Sequence, residues 1–151
     1  MRLERVAAHV PAGARLADIG SDHGYLPVAL MRRGAIVAAV AGEVAQTPFH
    51  AAVRTVRDND LQPFITVRLA SGLAAIEPSD GITAISLCGM GGETIRDILD
   101  SGKARLRGHE RLILQPNGGE QPLRRWLMDN GYRLLDAEVL QENRFFYEHI
   151  V

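Results

Sequence analysis

The chain has 151 residues, 46% of them hydrophobic, with seventeen basic and eighteen acidic residues and a formal net charge of −1. That length suits one compact domain spanning residues 1–151, and no run approaches the ~18 apolar residues needed to cross a bilayer. Near-neutral charge excludes nucleic-acid binding through bulk charge, although not through a local patch. The single cysteine, Cys88, excludes an internal disulfide and a cysteine-based zinc site, and the five histidines stand singly, so no metal is expected. A lone thiol and a polar N-terminus, where a signal peptide would be apolar, point to the cytoplasm.

Residues 3–10 carry apolar side chains at helical spacing and stop at Pro11 and Gly13. Residues 15–20 read as a short buried strand. A polar loop over 20–25 leads into a helix over 25–33, whose first turn tolerates Pro27 and which Gly34 closes. Residues 35–40 form a second apolar strand and 46–59 a helix. The β-branched, alternating run 64–68 is a third strand, and 82–88 a fourth, followed by a helix over 92–101. A fifth strand over 111–115 precedes a helix over 121–130, capped by Gly131. Two β-like runs, 132–140 and 145–151, flank a turn at Gln141–Asn143. Strands alternating with helices predict βαβ units and a parallel sheet, and two successive strands at the end predict an antiparallel hairpin closing it. Such sheets bind ligands beyond the carboxyl ends of their strands, near the switch point.

The loop after the first strand holds Gly20 and Gly24 but no glycine at position 22, which a dinucleotide-binding loop would want. Asp22 stands there instead. A carboxylate repels a pyrophosphate and attracts the ammonium or sulfonium of S-adenosylmethionine, a difference of several kcal/mol at ~4 Å before desolvation. A nicotinamide dinucleotide is therefore disfavoured. Asp22 capping the next helix is the plainer alternative. Glu43, at the end of the second strand, is placed to hold ribose hydroxyls, or is a surface residue after a glycine turn. Ser71 and Gly72 follow the third strand, where this architecture reaches adenine; a bland turn is the alternative. Gly89, Met90, Gly91 and Gly92 follow the fourth strand, and glycines there let backbone come close to a ligand. Gln115, Pro116 and Asn117 follow the fifth and either read a base edge or simply turn the chain. His23 is a candidate base or a loop histidine bonded to backbone. Lys103, Arg105, Arg107, Arg124 and Arg125 are either solvated surface or the candidates for phosphate contact.

The stretches Asp18–Pro27, Ala41–Glu43, Gly89–Gly92 and Leu112–Asn117 resemble, in the right order and through essentially the whole chain, the bacterial tRNA adenine-N1 methyltransferases called TrmK. The resemblance implies a Rossmann-like class I methyltransferase fold, S-adenosyl-L-methionine as cofactor and adenine 22 of tRNA as target. It departs at the third loop, which usually reads Gly-Asp-Gly in the family and here is Ala70-Ser71-Gly72. The family also carries a helical C-terminal extension; its absence from these residues implies weak tRNA binding. On this reading Asp18, Gly20, Ser21, Asp22, Glu43, Ser71, Gly72, Gly89, Met90 and Gly91 hold the cofactor. Tyr25, Gly92, Pro116 and Asn117 meet the substrate base, with Asp22 and Asn117 in catalytic roles. A small-molecule methyltransferase and a non-catalytic cofactor- or RNA-binding module remain the alternatives.

Overall fold

The computed structural model describes residues 7–8, 10–139 and 143–149, with side chains through Leu135. Strands β1 (Ala14–Ile19), β2 (Ile36–Glu43), β3 (Ile65–Leu69), β4 (Ala84–Met90), β5 (Arg111–Pro116), β6 (Tyr132–Val139) and β7 (Asn143–His149) alternate with helices α1 (Tyr25–Arg32), α2 (Gln46–Asp58), α3 (Gly92–Ser101) and α4 (Glu120–Asp129). The expected helix over residues 3–10 lies mostly outside the described residues, as do Gln141 and Glu142 of the final turn. The strands form one sheet in the order β3-β2-β1-β4-β5-β7-β6. The first five are parallel, and β7 runs antiparallel to both β5 and β6. This is the mostly parallel seven-stranded sheet with a closing hairpin that the sequence predicts.

Helices cover both faces of the parallel strands, so those strands must be apolar on both sides. One face joins Ala17, Ile19, Ile85, Leu87, Leu112 and Leu114 to Ile95, Leu99, Leu123 and Leu127 of α3 and α4. The other joins Leu16, Ala84 and Ile113 to Leu26, Leu30 and Val56 of α1 and α2. Side chains alternate along a strand. Asp18, Ser86 and Gln115 therefore interrupt the second face, Asp18 and Gln115 each one residue from the carboxyl end of its strand. Asp18 sits opposite Ser86 in the β1–β4 pair, and Gln115 opposite Cys88 in the β4–β5 pair.

Two strands run past their sequence-predicted ends. β2 continues from Val40 to Glu43 because Gly42 pairs with Ile19 on one side and Glu43 with Leu69 on the other. β4 continues through a bulge between Cys88 and Met90, where Gly89 takes a left-handed φ of 75°. The crossing from β3 back to β4 contains two short 3-10 turns, Gly72–Ala75 and Pro78–Asp80, in place of a helix. Arg68 anchors it with a forked pair of hydrogen bonds to Asp80, 2.5 and 2.9 Å. Trp126 is core, and its Nε1–H donates to Asp100 across the α3–α4 seam at 3.0 Å.

That seam closes at glycine. The Gly92 amide donates to the Gly118 carbonyl at 2.8 Å, and a Cβ on Gly92 would lie 2.0 Å from the Gly119 carbonyl oxygen. Gly34 differs, with a left-handed φ of 69° and nothing within 4 Å of its missing Cβ. Gly92→Ala should therefore lose about 3 kcal/mol or more, at the upper end of overpacking costs, whereas Gly34→Ala should lose only about 1–2 kcal/mol, the cost of a left-handed Cβ. Urea denaturation of both variants checks this, and equal losses would contradict the packing account.

Candidate active site

The sheet reverses its order between β1 and β4, and a cavity of about 460 Å³ opens beyond their carboxyl ends. The β1 loop contributes Asp18, Gly20, Ser21, Asp22 and Tyr25 to its wall; β4 contributes Cys88, Gly89 and Met90; β5 contributes Gln115 and Asn117. Leu26 completes the lining. Of the residues named from sequence, Asp18, Gly20, Ser21, Asp22, Tyr25, Gly89, Met90 and Asn117 thus share one cavity.

Asp18 is buried, and both of its oxygens are occupied. Ser21 Oγ donates to Oδ2 at 2.8 Å and Ser86 Oγ to Oδ1 at 2.7 Å. Burial pushes this carboxyl up to about 7; the Ser86 and Ser21 hydroxyls oppose the rise, and the Glu43 and Asp22 carboxylates add to it. Ser86 is the member of this hydrogen-bond cluster that sequence reading missed. Its signal was a hydroxyl inside an otherwise apolar strand.

The loop after β1 has an unusual backbone. Asp22, His23 and Gly24 all have left-handed φ, at 50°, 68° and 72°, and each non-glycine costs roughly 1–2 kcal/mol there. Glu43 offsets part of that cost by accepting the Asp22 N–H at 2.5 Å. Glu43 is buried and its carboxyl is raised, chiefly by desolvation, with the Asp22 amide acting in the opposite direction. It adjoins the cavity through Asp22 without being one of the lining residues. The Gly20 and Ser21 amides donate to the Gly42 carbonyl at 2.9 and 3.3 Å, tying the same loop to β2.

Asp22 does not cap α1. The cap position is Gly24, with no side-chain hydrogen bond. The Asp22 side chain is 84% exposed, with His23 Nε2 3.5 Å from its Oδ1. The His23 ring stacks on Tyr25 with centroids 5.3 Å apart, and Tyr25 is 56% exposed at the cavity rim.

The β4 and β5 loops close the far wall. Asn117 N–H donates to the Met90 carbonyl at 2.7 Å, and Met90 Cε lies 3.3 Å from where a Gly20 Cβ would be. Gly91 caps α3, Gly92 makes the seam contact, and Pro116 pairs with Met90; these three support the wall without lining it. Ser71 and Gly72 lie elsewhere. They line a separate depression of about 560 Å³ with Thr94, Ile98 and Arg105, although the Ala70 amide donates to the Glu43 carbonyl at 2.9 Å and keeps the loop beside β2. Of the candidate phosphate-binding arginines, Arg105 donates to the Ile76 carbonyl and Arg107 to that of Pro78 at 3.4 Å. Arg124 and Arg125 are exposed on α4.

The cavity suits S-adenosylmethionine in its chemistry. Two carboxylates, Asp18 and Asp22, border it, and Gly20 and Gly89 leave room for close backbone approach. Among the described residues, no group of three histidine, cysteine or acidic side chains is placed to hold a metal, and no helix is long and apolar enough to cross a membrane.

A family model described as tRNA (adenine(22)-N(1))-methyltransferase matches residues 16–151. The tRNA (adenine(22)-N(1))-methyltransferase of Bacillus subtilis (strain 168) is 43% identical over 150 residues, 99% of this chain and 63% of that protein. A putative tRNA (m1A22) methyltransferase of Streptococcus pneumoniae, solved with S-adenosyl-L-methionine, is 45% identical with a TM-score of 0.95, covering 98% of this chain and 72% of that one. TrmK of M. capricolum, solved with S-adenosyl-homocysteine, is 26% identical with a TM-score of 0.85, covering 97% and 66%. The chain spans about three fifths of the length of the curated relatives it matches. The fold is that of the Rossmann-like methyltransferases, and the chain belongs to the tRNA (adenine(22)-N(1))-methyltransferase family.

Proposed function

We propose that residues 1–151 are the catalytic domain of an S-adenosylmethionine-dependent enzyme that methylates N1 of adenine 22 in tRNA. The observation that carries this reading is the cavity at the switch point, where acidic side chains and glycine backbone meet an exposed aromatic and an amide. The relatives' names supply the target, and a tRNA-modifying role puts the protein in the cytoplasm. When bound, S-adenosylmethionine supplies a methyl group activated on a sulfonium sulfur. The S–CH3 bond breaks as an N1–CH3 bond forms, and the positive charge passes from sulfur to the base.

The chain's own residues bind and orient. Asp18 and Asp22 set a negative potential for the cationic end of the cofactor, and Gly20, Ser21, Gly89 and Met90 form the surface against which it rests, with Gly91 supporting that surface from the start of α3. Glu43 spends one oxygen on the Asp22 amide, leaving the other for ribose hydroxyls. On this reading the adenine end extends past Glu43 toward Ser71 and Gly72, outside the cavity itself, where the Ala70–Glu43 backbone bond keeps their loop beside β2. Tyr25 stacks on the target base, which must leave its pair because N1 is a Watson–Crick edge atom. Asn117 meets the base edge, with Pro116 and Gly92 fixing its loop. N1 attacks with its own lone pair, so positioning matters more than a strong base. Asp22 accepts the proton that the methylated, cationic base can lose from its exocyclic amine. Activity on bulk tRNA, with none on a pool of small metabolites, is the outcome that supports this substrate class.

Glu43→Ala should weaken S-adenosylhomocysteine binding about ten- to a hundredfold, about 1.4–2.7 kcal/mol. Calorimetry on the folded variant measures this, and an unchanged dissociation constant would remove the ribose assignment. A net charge of −1 gives these 151 residues little long-range attraction to a polyanion, so they should bind tRNA weakly. Joining on the part of the B. subtilis relative outside the matched region should raise tRNA affinity and leave S-adenosylhomocysteine affinity nearly unchanged. Equal tRNA affinity for the two proteins, at one fixed salt concentration, would place recognition within residues 1–151.

A further inference from the structure

The buried carboxyl at the end of β1 has a property that ligand contact alone does not require. Asp18 is enclosed on the α1–α2 face of the sheet yet borders the cavity. Its oxygens are taken by two neutral hydroxyls, from Ser21 and Ser86. The charges acting on it are the Glu43 and Asp22 carboxylates, both of which favour its protonated form. The other ionisable groups that share the cavity with it are Tyr25 at the start of α1 and Cys88 in β4, while His23 stands against Asp22 and Tyr25. A carboxyl so placed gains most from the arrival of a positive charge.

We propose that Asp18 is a proton-linked discriminator between the methyl donor and its demethylated product, ionised while a sulfonium cation shares the cavity and protonated from solvent when a neutral thioether replaces it. The inference rests on the donor reading above and adds a regulation to that site. The two ligands carry the same ammonium and carboxylate and differ by one methyl group and one positive charge on sulfur. Only the donor therefore brings extra charge toward Asp18. Burial pushes its carboxyl up to about 7. Below that value donor binding must first expel a proton, and its affinity falls with pH by up to about tenfold per unit. Product binding carries a smaller proton cost. Loss of the sulfonium charge after transfer lets Asp18 take up a proton and ends its attraction for the donor's cation.

The test is calorimetry on the full 151-residue chain with S-adenosylmethionine and S-adenosylhomocysteine, from about pH 5.5 to 7, below the range where an α-amino group titrates. The ratio of donor to product dissociation constants should rise about three- to tenfold between about pH 7 and 6. Runs in two buffers of different ionisation enthalpy should show more protons released by the donor than by the product. Asp18→Asn, which keeps an acceptor and a donor for the two serines, should flatten the ratio. Ser86→Ala, which removes a hydroxyl that favours the ionised form, should move the rise to higher pH while leaving Asp18 itself in place. Equal proton release for both ligands in the wild-type chain would overturn the proposal, as would an unmoved profile in folded Asp18→Asn or Ser86→Ala. Failure of either ligand to bind the folded wild-type chain would instead sink the donor reading, and this inference with it.

Discussion

Two carboxylates, Asp18 and Glu43, are buried at neighbouring strand ends, and a buried carboxyl needs donors or a proton. The donors it finds are the contacts that assemble the site. Ser86 reaches Asp18 from β4, and Ser21 reaches it from the loop. The Asp22 amide reaches Glu43 on β2. The adjacent strands β2, β1 and β4 are thus joined by side-chain bonds beyond their backbone ladder. The loop between them is held in a left-handed run that it would not adopt unaided. The wall of the cavity follows from satisfying buried charge.

The opposite wall is built by a different force. The β4 and β5 loops meet through glycine contacts too close for any side chain, at Gly92 against Gly118 and Gly119. Met90 and Asn117 are then fixed relative to each other by one backbone hydrogen bond. Three glycines after β4 therefore do separate things. Gly89 makes the bulge, Gly91 starts α3, and Gly92 permits the seam. Only Gly89 lies on the cavity.

The methyl transfer proposed above leaves the protein little covalent chemistry to perform, because the nucleophile is already a lone pair. What the fold contributes is electrostatics and position. Acidic groups line the cavity, and an exposed Tyr25, backed by the stacked His23 ring, stands at its rim. The arginines near residue 105 are engaged with backbone carbonyls of their own chain, so they brace the β3–β4 crossing.

The order of elements, the closing hairpin and the three loops that carry the site were legible in the sequence, because apolar periodicity and glycine turns are local signals. Asp22 and Glu43 were legible as an acidic pair at strand ends. Their relation was not. That Glu43 would reach the Asp22 amide, 21 residues away, depends on β2 running on beside β1. Ser86 could be seen as a hydroxyl in an apolar strand, but its bond to Asp18 spans 68 residues and exists only because parallel register sets the two side chains opposite each other on one face. The placement of Ser71 and Gly72 against Ile98 was likewise decided by how the β3–β4 crossing packs on α3. Sequence determined which elements form and which chemistry they carry. Tertiary structure decided which groups meet, because register and packing are set between segments that no local pattern connects.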